Sequence, residues 1–513
     1  MSIEHFEANP THKAAGHPKY AQCFFALQTM PENATSDALL GSLQRRLGNA
    51  VMVEREVASC GSELLAKIER QRTRPVGALL DPVSLRNVLL THLDSPASAS
   101  QVAARSLTLV PLVPELANYT AAVRLRGNPW NPGQLAAEVI RLGSRDVPEA
   151  NDVWRQLFDA FAVGPNDDAW ARFVSQEIIA WRLSRVSEKV NARVTGGGPN
   201  SMGIRDDEML PMGRDEISRP PARQFVHDLR HVIALRERTT RREWIGYVEA
   251  LIRLGIVTHT QWLCQVHATV WQELEEALRG RWRQEGLEGR IRAGLRRPLW
   301  NIGELYTSRS ATLARQYLRS RYGLNLVLFA LDTFVPDGVA NLRPPTDFAT
   351  LTTFTSELAA LIARADLGSG IIKRLTTLLE KNPQVANCRS GVTKNLCEFW
   401  LYTLAKRQVR NRADAEYDQS AWCQKRGGER APWAVQPGPL ALCLAAHCCA
   451  KERRIGATVK DLQEYLLRYG IGSQQGDFIR GPLAPRMRGL GIVVDSPDAE
   501  GGMGILDPLG VDG

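Results

Sequence analysis

The chain has 513 residues, 44% of them hydrophobic and 23% charged, with 64 basic against 55 acidic side chains. That length exceeds what one hydrophobic core usually organises, so about three domains are expected, and the composition excludes disorder as the main state. The net charge of +9 favours anionic partners such as nucleic acid, although only 11 of the 64 basic residues are lysine, a bias that a GC-rich genome also produces.

In chain order, residues 1–19 are polar, carry His5, His12 and His17, and lack the apolar core of a secretory signal. Nine scattered cysteines read as free thiols in a reducing compartment, and no apolar run has the length of a membrane span. A soluble cytoplasmic protein without a membrane partner is therefore expected. Residues 152–186 repeat Val153, Trp154, Leu157, Phe158 and Phe161, then Trp170, Phe173, Val174, Ile178 and Trp181, at helical intervals. These aromatics read as core, with Asn166 or Asp167 of the intervening GPNDD as an N-cap. A helical N-terminal domain is placed at 1–194. A linker follows at 195–223, where three consecutive glycines, prolines and charges cannot bury a core.

A helical central domain is placed at 224–415. Residues 225–236, 241–254 and 261–278 each show an apolar stripe, followed by 310–320, 348–364, 370–380 and 395–408. The apolar run 324–331 fits a buried strand or a buried helix turn. Arg236, Arg238, Arg241 and Arg242 read as a solvated helix face. Between the stripes lies RGRWRQEGLEGRIRAGLRRPLW, residues 279–300. It supplies Arg279, Arg281, Arg283, Arg290, Arg292, Arg296 and Arg297 with Trp282 and Trp300 interleaved, opposed within the segment by Glu285 and Glu288 alone. Guanidinium groups neutralise phosphates and indoles stack on bases, so this is the densest candidate nucleic-acid patch. The alternative is an amphipathic helix with its tryptophans turned inward.

Catalytic motifs are missing. LGSGIIKRL (367–375) lacks the glycine-lysine-serine or threonine ending of a P-loop, and neither a dinucleotide fingerprint nor a nucleophile elbow occurs. His227 and His231 stand four apart in FVHDLRHV, so a helix puts both imidazoles on one face, with Asp228 in the place of the glutamate of H-E-x-x-H. A third ligand is not evident, and the pair reads as two helix histidines. Cys443, His447, Cys448 and Cys449, with Cys423 upstream, lack paired CxxC knuckles and read as packing residues. No metal or other cofactor is expected.

A second break, near 410–439, precedes the last candidate domain, 440–513. There an apolar helix (440–450) is followed by Thr458 as an N-cap before Val459, Leu462, Tyr465 and Leu466. YGIGSQQGD turns the chain, 478–488 is a short basic segment with Arg480, Arg486 and Arg488, and GIVVD and MGIL read as two strands around SPDAEGG. This order resembles a winged helix-turn-helix domain, whose recognition helix enters the DNA major groove. Pro482 and Pro485 depart from that pattern by shortening or kinking the helix. TTRREWIGYVEALIRLGIV (239–257) is a weaker echo of the same fold. The fold expected is mainly α, multidomain, with a C-terminal winged helix. The layout is similar to accessory proteins of bacterial multi-gene antiviral defence systems. It implies a non-enzymatic DNA-binding or DNA-recruiting subunit that meets duplex DNA and other protein subunits. The alternatives are a helical adaptor for partner proteins and a metal-dependent enzyme built on His227 and His231.

Overall fold

Apolar residues at helical spacing shape most of the chain, and the computed structural model is mainly helical, with strands of only two or three residues. It describes residues 2–12, 15–27, 35–49, 60–96, 108–120, 132–181, 221–346, 348–409, 416–427, 430–453, 456–494 and 503–510. No helix among them is long and apolar enough to cross a membrane. On the N-terminal side, α1 (Ser36–Leu47), α2 (Pro132–Gly143) and α3 (Val147–Phe161) pack together, and α4 (Ala169–Ala180) follows. Then come α5 (Pro221–Ala234), α6 (Arg241–Leu278), α7 (Leu287–Leu295), α8 (Tyr306–Phe334), α9 (Phe348–Arg364), α10 (Gly368–Lys381) and α11 (Gly391–Leu404). Asp168 caps α4, accepting from the Ala171 N–H at 2.7 Å, in place of the expected Asn166 or Asp167. Asp167 is occupied by two arginines instead.

The axis of the molecule is α6, which packs on α5, α7, α8, α9 and α11. At 38 residues it spans about 57 Å. The sequence divides it into two helices because Gly255, Thr258, His259 and Thr260 interrupt the apolar stripe. The interruption is absorbed. Thr258 and Thr260 donate their hydroxyls back to Leu254 O (2.8 Å) and Val257 O (2.9 Å), and Trp400 of α11 donates its indole N–H to Thr260 Oγ1. Gly255 is required by contact: a Cβ there would lie 2.2 Å from the Phe225 ring on α5. A helix apolar on all sides is buried on all sides, and the segment 239–257 that echoes a winged helix therefore runs on past LGIV as one helix, with no wing after it. Residues 324–331 are likewise helical, inside α8.

The basic cluster at the start of α6 is solvated at Arg238 and Arg242 but not at Arg236 and Arg241. Arg241 is buried, donates to Leu112 O at 2.6 Å, to Phe161 O and to Asp167, and Arg236 joins the same carboxylate. Farther along α6, Arg253 donates to Asp418 (2.7 and 3.2 Å), Glu249 (2.9 Å) and the carbonyls of Thr403 and Ala405. The second break expected in the sequence is thus tied down where it is described. Of the first, 195–220 lie outside the described residues, and 221–223 already belong to α5 with Pro221 and Ala222 buried. A single contiguous cluster of buried apolar side chains runs from Phe6 to Ile505.

Strand β1 (Trp300–Asn301) precedes α8, and the antiparallel hairpin β2 (Cys423–Lys425) and β3 (Trp433–Val435) follows α11. The chain ends in α12 (Pro439–Glu452), β4 (Ala457–Thr458), α13 (Val459–Arg468), β5 (Ile471–Gly472), the short α14 (Gln475–Ile479) and α15 (Ala484–Gly489), β6 (Val493–Val494) and β7 (Gly504–Ile505). Thr458 caps α13 in a reciprocal capping box with Asp461. Strand β7 lies between β4 and β6, antiparallel to both. The expected SPDAEGG turn, 496–502, lies wholly outside the described residues. Strand β5 leaves this unit to pair in parallel with β1, so the turn after α13 is fastened to the body.

Candidate nucleic-acid interface

The arginine run 279–300 divides into two groups. Arg279 pairs with Glu275 (2.6 Å), Arg281 with Glu276 (2.8 Å) and Arg292 with Glu288 (2.5 Å). Arg290 grips Glu273 through two nitrogens at 2.8–3.1 Å, and its guanidinium also donates to the carbonyls of Glu285 and Arg283. Most of the opposing charge thus comes from Glu273, Glu275 and Glu276 at the end of α6, outside the arginine segment itself. Arg283 is exposed. Trp282 is half-buried against the core, and Trp300 is buried with its N–H given to Gln261 Oε1 at 2.9 Å. Neither indole is a free stacking platform.

Arg296 and Arg297, at the end of α7, differ. Both are exposed, and their guanidinium groups meet no hydrogen-bond or ion-pair partner among the described residues. They edge an open cleft of about 920 Å³ between α5, α6, α12 and α13. Arg223 of α5, half-buried and likewise unpaired among the described residues, faces the same cleft, as do His227 and His231. Glu452 and Glu464 also line it. Glu452 is held by Arg468 (2.5 Å) and Gln224 (2.6 Å), and Glu464 lies 3.4 Å from Arg453.

The carboxylate beside the two histidines serves another purpose. Asp228 is fully buried, and its oxygens accept from Tyr465 (2.6 Å), Tyr469 (2.7 Å) and Gln224 (2.9 Å), with His227 Nδ1 at 3.4 Å. A carboxylate offers about four lone-pair sites, and these donors fill them. His227, Asp228 and Glu452 have ligand-type atoms within 4.8 Å of one another, but both carboxylates are already spent on holding α13 and α12 to α5. His231 packs edge-on to His227, at 4.7 Å between ring centres, and faces His447, whose Nδ1 is 2.7 Å from Asp507. The hydrogen bond that His227 gives to Asp228 raises the His227 pKa, and burial lowers that of His231. Burial pushes the thiols of Cys443 and Cys449 up to about 11 and 12, so they stay protonated and pack as small apolar groups.

At the C-terminal unit, Arg480 and Arg488 are exposed, whereas Arg486 is turned inward and donates to Pro437 O at 2.5 Å, with Gln424 at 3.5 Å. Through Arg486 the β2–β3 hairpin is laid against α15. Its turn is basic: Lys425 sits over the Trp433 ring at 5.3 Å, and Arg426 and Arg430 are exposed. Arg426 and Pro482 both approach Gly303, where a Cβ would lie 2.7 Å from the guanidinium and 3.8 Å from the proline ring. KRGGER reads only as a chain break in the sequence. The placement of strand β2 beside α15 depends on a contact about 60 residues along the chain, which no local pattern carries. No protein-family profile matches the chain, and no curated protein or solved structure is significantly similar to it.

Proposed function

We propose that this protein is a non-enzymatic duplex-DNA-binding subunit, and that its DNA surface is the winged-helix-like C-terminal unit extended by the β2–β3 hairpin. The observation that carries this reading is the packing of the β2–β3 hairpin, which bears the basic turn, against Arg486 of α15, with Arg426 and Pro482 both close to Gly303. In support, helix, strand, helix, short helices and two strands follow one another with β7 between β4 and β6, an order that agrees with the proposed winged helix. Lys425, Arg426 and Arg430 of the hairpin, with the exposed Arg480 and Arg488 of the C-terminal unit, supply the cations for phosphates along a duplex. Helices α14 and α15 are too short, and too interrupted by Gly481 and Pro482, for extended base reading, so backbone contact dominates and sequence preference is slight. The paired arginines Arg279, Arg281, Arg290 and Arg292 contribute little, because each already has a carboxylate.

A second reading is favoured by β5. The turn after α13 is bonded here to Trp300 and Asn301 of the body, which holds the unit in place and suits one that receives a protein partner. Salt-dependent binding decides between them. In fluorescence anisotropy, the DNA reading expects affinity for a labelled duplex that falls steeply with salt, with a log–log slope of about −3 to −5 for four or five phosphate contacts. Absence of duplex binding at low salt overturns it and leaves the adaptor reading in front.

A further inference from the structure

The cleft between α5, α6, α7 and α13 has no part in the DNA surface just described. It gathers what a small organic polyanion needs. Arg296 and Arg297 stand on one wall and Arg223 on another, all three without a carboxylate among the described residues. The acids of the cleft are engaged by Arg468, Gln224 and Arg453. Excess positive charge is therefore focused in a concave site flanked by protein, where Coulomb attraction exceeds that on an open surface.

One part of the lining is apolar and aromatic. Trp262 lies one helical turn before Gln265 on α6, and Gln265 donates to the carbonyls of Gly294 (2.7 Å) and Arg297 (3.0 Å). The indole is thus held next to the arginine pair, and it is itself braced by His259, stacked on it with ring centres 6.2 Å apart. Leu299 and the 46%-exposed Leu467 continue this wall. A volume of about 920 Å³ falls within the range of about 300–1,000 Å³ of small-molecule sites. A duplex, with a major groove alone about 12 Å wide, rests on a surface instead of entering a cleft of this kind.

We infer that this cleft binds a nucleoside polyphosphate, with the phosphates on Arg223, Arg296 and Arg297 and the base against Trp262 and Leu467. No bond is made or broken, and the ligand bridges α5 and α7 of the body to α13 of the C-terminal unit. Occupancy consequently stabilises the docking of that unit, since a ligand that binds only the docked form raises its population.

Isothermal titration of the full chain with ATP, GTP and inorganic tripolyphosphate tests this. The expected result is saturable binding of at least one nucleotide, with tripolyphosphate at least about tenfold weaker because it lacks the base, about 1.4 kcal/mol. R296E/R297E, at exposed positions where the fold does not depend on the side chains, weakens the nucleotide at least about tenfold. R279E/R281E leaves it unchanged. Failure of both nucleotides to bind at about 1 mM overturns the inference, as does unaltered binding in R296E/R297E. Equal affinity for tripolyphosphate removes the nucleoside from it. Duplex binding is measured on the same samples. Competition between nucleotide and duplex, together with loss of the duplex in R296E/R297E, would assign the cleft to nucleic-acid backbone and overturn the inference, whereas a failure of duplex binding alone leaves the nucleotide result standing.

Discussion

Replacing Asp228 by alanine separates a clamp from a metal ligand. In the clamp, two buried tyrosine hydroxyls and one amide point at this carboxylate, from 2.6, 2.7 and 2.9 Å. Burial holds the pKa of both tyrosines well above the usual value, so they remain donors at neutral pH. Asp228→Ala strands both hydroxyls, and each buried unsatisfied group costs about 1–3 kcal/mol, so the expected loss is about 2–6 kcal/mol. Asp228→Asn keeps the shape and one carbonyl oxygen but loses the charge. The difference between charged and neutral hydrogen bonds, about 1 kcal/mol for each hydroxyl, gives about 2 kcal/mol. Tyr465→Phe alone lowers stability, but in the Asp228→Asn background it costs less, because the bond it removes is already weakened. Urea unfolding followed by tryptophan fluorescence reads all four variants, with midpoints that fall at unchanged slope. A loss below about 0.5 kcal/mol for Asp228→Ala refutes the clamp. So does stoichiometric metal in the purified wild type that disappears in the variant.

Gly255→Ala drives a methyl group into the Phe225 ring at the α5–α6 crossing and is expected to cost about 1–3 kcal/mol or more, read as a lower urea midpoint; an unchanged midpoint contradicts the packing. Arg253→Met leaves Asp418 buried without its cation and is expected to destabilise by about 3–5 kcal/mol, with the joint Arg253→Met, Asp418→Leu variant recovering part of that. Burial lowers His259 and His267 to about 3, below an unfolded value of about 6.5. Above pH 6.5 both states are neutral and pH has no effect through them. From there down toward pH 3 the unfolded chain takes up protons that the folded chain refuses, so stability falls as pH falls, by up to about 1.4 kcal/mol per pH unit for each histidine. Urea midpoints between pH 6.5 and 5 should show this slope, and His259→Gln should flatten it; an unaltered slope contradicts the burial argument.

The helical character is legible in the sequence because apolar spacing is a local signal. The stripe over 348–364 coincides with the bounds of α9, and Thr458 is recognisable as a cap from its own short segment. What escapes is set by distance along the chain. Arg241 reads as one of four solvated charges until Asp167, 74 residues earlier, takes it into the core. The arginine run looks unopposed until α6 is seen to continue through Gly255 and bring Glu273, Glu275 and Glu276 beside it. Asp228 suggests metal chemistry by its place between two histidines, yet its hydroxyl partners lie 237 and 241 residues away. The cleft is illegible for the same reason, since Arg223, Trp262, Arg296 and Leu467 come from four separate elements. Residues 195–220 lie outside the described residues, so the greater part of the linker reading is untouched by the fold.

The most direct test of the DNA surface compares two sets of charge reversals by fluorescence anisotropy on one labelled duplex across a salt series. One protein carries K425E, R426E, R480E and R488E, on the hairpin and beside α15. The other carries R279E, R281E and R292E, whose arginines are already paired. The first set is expected to weaken duplex binding at least about tenfold and to flatten the salt dependence by about 0.9 for each phosphate that is no longer neutralised, while the second stays within about threefold of the wild type. Equal losses from both sets, or undiminished binding in the first, would contradict the DNA surface.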